Sequence, residues 1–220
     1  MRAALGTRWR ALGVLCLLLP VAGWALFESQ RLFRSDWASA AERQKVLLWV
    51  SGGAAPASVE EWNAARAALL RSLSLTPDDP NLHERMGDLD VVAGQRDWAI
   101  ATLRRAHFTS AAGYYGQALV LRPRDPQTWA MLAAARQAAG ADRALVHLAW
   151  ARALALGPHE GHVQPVLLSV VLADWSGATE AMQNWVKSVF DQGDARTRRA
   201  INDIAAANGL LFSPDSASLP

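Results

Sequence analysis

Residues 73–80 read Leu73-Ser74-Leu75-Thr76-Pro77-Asp78-Asp79-Pro80, and residues 119–126 read Leu119-Val120-Leu121-Arg122-Pro123-Arg124-Asp125-Pro126. A shorter third copy follows as Leu154-Ala155-Leu156-Gly157-Pro158. Each copy closes an alanine-rich stretch whose apolar residues recur at helical spacing. Each ends at a proline, which has no N–H to give and stops the helix before it. Punctuation of this kind predicts repeated helix hairpins. One hairpin cannot bury its own apolar face, so neighbours must stack.

The composition agrees with an all-α fold. Hydrophobic residues make up 51% of the 220, and alanine and leucine dominate them, with few β-branched residues to favour strands. Ten tryptophans are an unusual number for this length. Most fall within helical patterns, where a large ring fills the space between helices. The net charge of +2 comes from Arg2, Arg8 and Arg10, ahead of the first apolar run. Without them, basic and acidic residues nearly balance, which argues against a nucleic-acid footprint. Cys16 is the single cysteine, so no internal disulfide or cysteine-based metal site is possible.

In chain order, residues 1–27 read as a signal anchor or transmembrane helix. Residues 11–27 (ALGVLCLLLPVAGWALF) carry no charge, and Trp9 and Trp24 flank or close the run. The arginines before it place the N-terminus in the cytoplasm and the body across the membrane, in a bacterium the periplasm. A cleaved signal peptide is the rival, because Gly23-Trp24-Ala25 offers small residues where a signal peptidase reads. Residues 28–57 read as a juxtamembrane helix and linker. Ser35 or Asp36 caps a helix to about Val50, and Gly52-Gly53-Ala54-Ala55-Pro56 breaks it.

Residues 58–158 carry the repeats. Ser58 and Glu61 form a capping box for a helix with Trp62, Ala65, Leu69, Leu70 and Leu73 inward. A helix over 81–93 then buries Leu82, Met86, Leu89 and Val92 or Ala93. The stretch 96–121 fits the helical pattern in two registers, through Ala99, Leu103 and Ala106 and again through Ala111, Tyr115 and Ala118. It reads as one long helix or as a helix broken near Thr109–Gly113. In the next unit Ala133 and Ala153 allow close approach, and Trp129 and Trp150 fill space. Residues 159–212 form a further hairpin and a capping helix that opens at Asp194. Residues 213–220 read as a disordered tail.

These features resemble the tetratricopeptide (TPR) family. Pro126, Trp129, Leu132, Ala133, Gly140, Trp150, Ala153 and Pro158 follow its pattern most fully. Pro77 and Pro123 lie 46 residues apart, about twelve more than the usual 34-residue unit. The resemblance implies a superhelical stack of antiparallel hairpins. It also implies a concave groove lined mainly by the first helix of each hairpin, with Asn81, Glu84, Asp88, Gln127, Ala130, Ala134 and Gln137 facing it. A finer resemblance is one of arrangement: an N-terminal apolar segment, Trp49-Val50-Ser51-Gly52, the stretch from Leu73 to Gly87, Tyr114-Tyr115-Gly116-Gln117-Ala118-Leu119 and ALALGPHE at 153–160. It is similar to the VpsP-like TPR proteins of bacterial exopolysaccharide biosynthesis clusters. That implies a membrane-tethered scaffold binding envelope or polysaccharide-assembly proteins. An assembly factor for another envelope machine, such as a pilus or cytochrome maturation, is the alternative.

Enzymatic signatures are weak. His159-Glu160-Gly161-His162 has its histidines at i and i+3 rather than the i and i+4 of a zinc protease helix. No glycine-rich phosphate loop or nucleophile elbow stands out. No catalytic, cofactor or metal residue is expected, although a periplasmic enzyme with a helical accessory domain is a further class to exclude. Asp88 and Asp90 read as solvent-exposed, and His83, His107 and His147 as groove or surface residues.

Overall fold

The computed structural model describes residues 2–52, 56, 58–96 and 100–210, with side chains described from residue 18 onward. Among these residues the fold is all-α, with no strand. Its helices are α1 (Arg2–Val50), α2 (Val59–Leu75), α3 (Pro80–Gly94), α4 (Ala101–Leu121), α5 (Pro126–Ala138), α6 (Arg143–Leu156), α7 (Gln164–Ala173), α8 (Glu180–Gln192) and α9 (Ala195–Ala207). They pair in order along the chain: α1 with α2, α3 with α4, α5 with α6. Alternate helices also touch, α1 against α3 and α5 against α7.

The repeated octapeptide has one repeated geometry. Thr76, Arg122 and Gly157 end α2, α4 and α6 with φ of −132°, −135° and −144° and ψ of 73°, 72° and 63°. Each precedes a proline, whose ring excludes the helical region for the residue before it. Asp79 and Asp125 then cap α3 and α5 at φ/ψ of −88°/108° and −89°/107°, each accepting a hydrogen bond from a first-turn N–H. Pro80 and Pro126 occupy the first turn, where a missing N–H costs nothing.

Close contact between α3 and α4 depends on two glycines. A Cβ on Gly87 would lie 2.7 Å from the Tyr115 ring, and one on Gly94 would lie 2.9 Å from the Phe108 ring. The glycines are seven residues apart and so are their aromatic partners, in reverse order, which sets the antiparallel register.

The core has two parts. Val46 and Trp49 of α1 meet Trp62, Ala65 and Leu69 of α2 and Leu82, Met86 and Leu89 of α3. The second runs from Ala111 and Tyr115 of α4 through α5, α6 and α7 to Ile201 and Ala205 of α9. Two of the buried tryptophans, Trp62 and Trp150, keep their N–H groups bonded. Trp62 donates to Leu89 O at 2.9 Å, and Trp150 to Leu167 O at 3.2 Å.

Two expectations need correction, and one open alternative is decided. No helix starts at Ser35 or Asp36; α1 runs unbroken through both. No glycine or proline interrupts residues 24–50, and Ser35 faces inward instead of capping. Its hydroxyl donates to Ser72 O at 3.3 Å and lies 2.7 Å from Thr76 Oγ1, while Ser72 Oγ donates to Ser35 O at 2.8 Å. Leu70 is exposed, because the inward face of α2 passes through Ala68 and Ser72. The stretch 101–121 is one helix without a break at Thr109–Gly113. Of its two registers, Ala111, Tyr115 and Ala118 are buried, whereas Leu103 and Ala106 are exposed. Ala99, the Gly53–Ala55 part of the linker and the tail at 213–220 lie outside the described residues. Among the residues whose side chains are described, from 18 onward, no helix is long and apolar enough to cross a membrane.

Candidate functional site: a groove along α3, α5 and α7

Two cavities, of about 430 and 740 Å³, share the wall residues Val91, Gln95, Met131 and Val166 and together make one groove. Val91 comes from α3 and Gln95 from its C-cap, Met131 from α5 and Val166 from α7. Leu47, Val50 and Ser51, at the end of α1, close one side of the smaller cavity. Gln137, Arg143, Ser169, Asp174 and Asn208 stand at the other end of the groove.

Five of the seven residues expected to face a groove line these cavities, and two do not. Glu84, Asp88 and Gln127 line the smaller cavity, and Ala134 and Gln137 the larger. Ala130 lines neither; it is fully buried against the core. The groove face of α5 steps through Gln127, Met131, Ala134 and Ala138, and Ala130 sits between two of those steps. Asn81 is at the exposed start of α3, where its amide donates to Asp79 and accepts from Arg122. Val91, Gln95, Met131 and Val166 were not anticipated. Continuing the three- and four-residue steps from Glu84 and Asp88 leads to Val91 and Gln95.

The polar groups near the groove are mostly engaged. Asp88 is buried rather than solvated. Arg85 donates to its Oδ2 at 2.6 Å, and the Tyr115 hydroxyl donates to its Oδ1 at 2.8 Å. Burial pushes the Asp88 carboxyl above its ordinary range, against the pull of Arg85 and Tyr115. Burial also pushes the Tyr115 phenol up. Asp90 is buried as well, accepting from Ser110 Oγ at 2.6 Å and lying 3.0 Å from His107 Nδ1. His83, expected at the groove or surface, is buried with Nε2 2.8 Å from Pro77 O. Glu84 bridges three helix ends. It pairs with Arg122 and accepts from the Thr128 hydroxyl at 2.7 Å.

His83 Nδ1 and Arg122 Nε have no hydrogen-bond partner of their own, and Gln127, in the groove wall, shares that state. Its Oε1 is shielded from solvent and has no hydrogen-bond partner. A carbonyl acceptor in that state is costly unless a donor reaches it. Farther along α5, Gln137 Nε2 is occupied, donating to Val170 O at 2.8 Å.

The His159–His162 segment lies apart from the groove. His162 Nε2 pairs with Glu160 at 3.0 Å, and both side chains are exposed. Among the described residues, no group of three or more His, Cys, Asp or Glu side chains is placed to hold a metal ion.

No family model matches the chain, and neither curated proteins nor solved structures give a match.

Proposed function

We infer that the protein is a membrane-anchored TPR-like scaffold, with the groove along α3, α5 and α7 holding an extended segment of a partner protein. The observation that carries this reading is the Gln127 Oε1 acceptor, shielded and unpartnered in the wall of an apolar groove. The backbone N–H of an extended peptide would satisfy it, and Val91, Met131 and Val166 would take the peptide's apolar side chains. The matching helix caps at Thr76, Arg122 and Gly157 support the TPR-like stack. Residues 11–27 serve as the anchor, with the helical body on the periplasmic side of a bacterial inner membrane. The arrangement of segments points to polysaccharide assembly or export as the process.

The test is affinity capture of the full-length protein from solubilised membranes, with mass spectrometry of bait and bound proteins. Recovery of a glycosyltransferase, polysaccharide polymerase or export protein, lost in a Gln127→Ala/Met131→Glu variant of unchanged melting temperature, is the expected result. Pilus or cytochrome-maturation proteins would move the protein to another envelope machine. Full retention of partners by the folded variant would remove the groove from the reading. A bait beginning near Leu26 would replace the anchor with a cleaved signal.

A further inference from the structure

The C-terminal part of α1 packs through one face only. Ser35 and Ser39 are buried toward α2, and Val46 and Trp49 are buried in the core shared with α2 and α3. Phe33 and Trp37 straddle the opposite face. At about 100° per residue, each lies about 160° from Ser35 around the helix. Phe33 is 66% and Trp37 79% exposed, and their rings stack on each other at 6.2 Å. Two bulky rings held face to face in water need a cover.

The exposed face has a period. Leu26, Phe33 and Ala40 recur every seven residues, and Gln30, Trp37 and Gln44 recur every seven between them. All six are exposed. They occupy the d and a positions of a heptad, and Leu19 and Gly23, also exposed, extend the same seam toward the N-terminus. The f positions, diametrically opposite, are Glu28, Ser35, Glu42 and Trp49. From Ser35 onward, this is the side turned to the body of the domain. From Leu19 to Gln44 the seam runs about three and a half heptads, apolar at Leu19, Leu26, Phe33, Trp37 and Ala40, with Gly23, Gln30 and Gln44 at the remaining positions. It stops before Leu47, which turns to the groove.

We propose that α1 pairs with α1 of a second copy of this chain, in parallel, along Leu26, Gln30, Phe33, Trp37, Ala40 and Gln44. A seam with a 3.5-residue period is complementary to another such seam, because only then do both helices keep contact along their length. A parallel pair sets Arg34 opposite Ser29, Asp36 opposite Ala41 and Arg43 opposite Leu48, so no like charges meet at the flanks. Asp36 and Arg43 also neutralise each other within one helix at 2.7 Å. Gln30 and Gln44 meet their own copies, where an amide can both donate and accept, a device that fixes register. From Ser35 onward each domain stays on the outer side of its helix, and the seam column reaches the groove edge at Leu47. The pairing does not require residues 11–27 to cross a membrane, and a shared membrane would impose the same parallel direction.

The experiment uses the full chain in mild detergent. Native mass spectrometry should find two copies. In a Cys16→Ser background, Ala40→Cys should form an intermolecular disulfide under mild oxidation, whereas Lys45→Cys, off the seam, should not. Phe33→Arg/Trp37→Arg should weaken the dimer at least about tenfold while helix content and melting temperature stay unchanged. Ala40→Glu provides a second, milder break. A single copy by mass, or equal cross-linking at positions 40 and 45, overturns the pairing. So does a folded Phe33→Arg/Trp37→Arg variant that keeps its dimer, or one that loses only binding to phospholipid vesicles, which would assign the rings to a lipid surface.

Discussion

Gly87 lies directly beneath the ring of Tyr115, so close that a Cβ at that glycine would sit 2.7 Å from the ring carbon. The pairing lets α3 and α4 approach, and it brings the Tyr115 hydroxyl to the buried Asp88. One glycine thus positions both a helix interface and a polar group beside the groove.

Gly87→Ala should destabilise the protein by about 1–3 kcal/mol, because the aromatic ring is enclosed and has no room to retreat. Gly113, on the same pair of helices, is exposed, and a Cβ there would meet nothing within 4 Å. Gly113→Ala should stabilise by about 0.5–1 kcal/mol through helix propensity. Urea denaturation of the two variants compares them, and equal effects would refute the packing argument.

Asp88 carries a pH dependence whose sign is fixed by its surroundings. Its pKa is raised above the ordinary 3.8, with burial the largest cause. A carboxyl whose pKa is raised on folding adds stability below its unfolded pKa, and that addition is lost as pH rises through the folded value. Measured against Asp88→Asn, the wild type should therefore gain relative stability as pH falls from neutral to 3.8 and below. Parallel denaturation midpoints for the two chains across that range would contradict it.

Tyr115→Phe removes the donor to Asp88 and leaves the ring that fills the space against Gly87. Leaving that buried acceptor without one of its donors should cost about 1–3 kcal/mol. The loss should shrink in an Asp88→Asn background, and a double-mutant cycle measures by how much. Additive costs would mean that the 2.8 Å contact is energetically idle.

Ala133 is fully buried between helices. Ala133→Leu should overpack the α5 interface and destabilise by about 1–3 kcal/mol. Val120, 82% exposed, is the control. Val120→Lys should change stability by less than about 0.5 kcal/mol. Calorimetric melting of both would test the assignment.

The helix pairs were legible because their signals are local. Proline after Thr76, Arg122 and Gly157, an aspartate cap before Pro80 and Pro126, and the Ser58 cap need only neighbouring residues to act. The Asp194 cap on α9 and the apolar run of α7 are of the same kind. The groove was legible in part for the same reason. Helical periodicity names the face of α3 that carries Glu84 and Asp88, but it does not say where that face stops being core.

Local sequence alone thus determined the all-α class, the hairpin punctuation and the caps, since each follows from backbone sterics and first-turn hydrogen bonding. Only the tertiary structure decided which residues left the surface. Asp88, Asp90 and His83 look solvated along the chain and are buried because α4 and the Pro77 turn bring them partners. Ala130 looks like groove wall and is core. Ser35 looks like a cap and instead joins α1 to α2, because Ser72 and Thr76 wait 37 and 41 residues away. Burial of a polar group depends on a partner distant in sequence, and no local pattern encodes that distance.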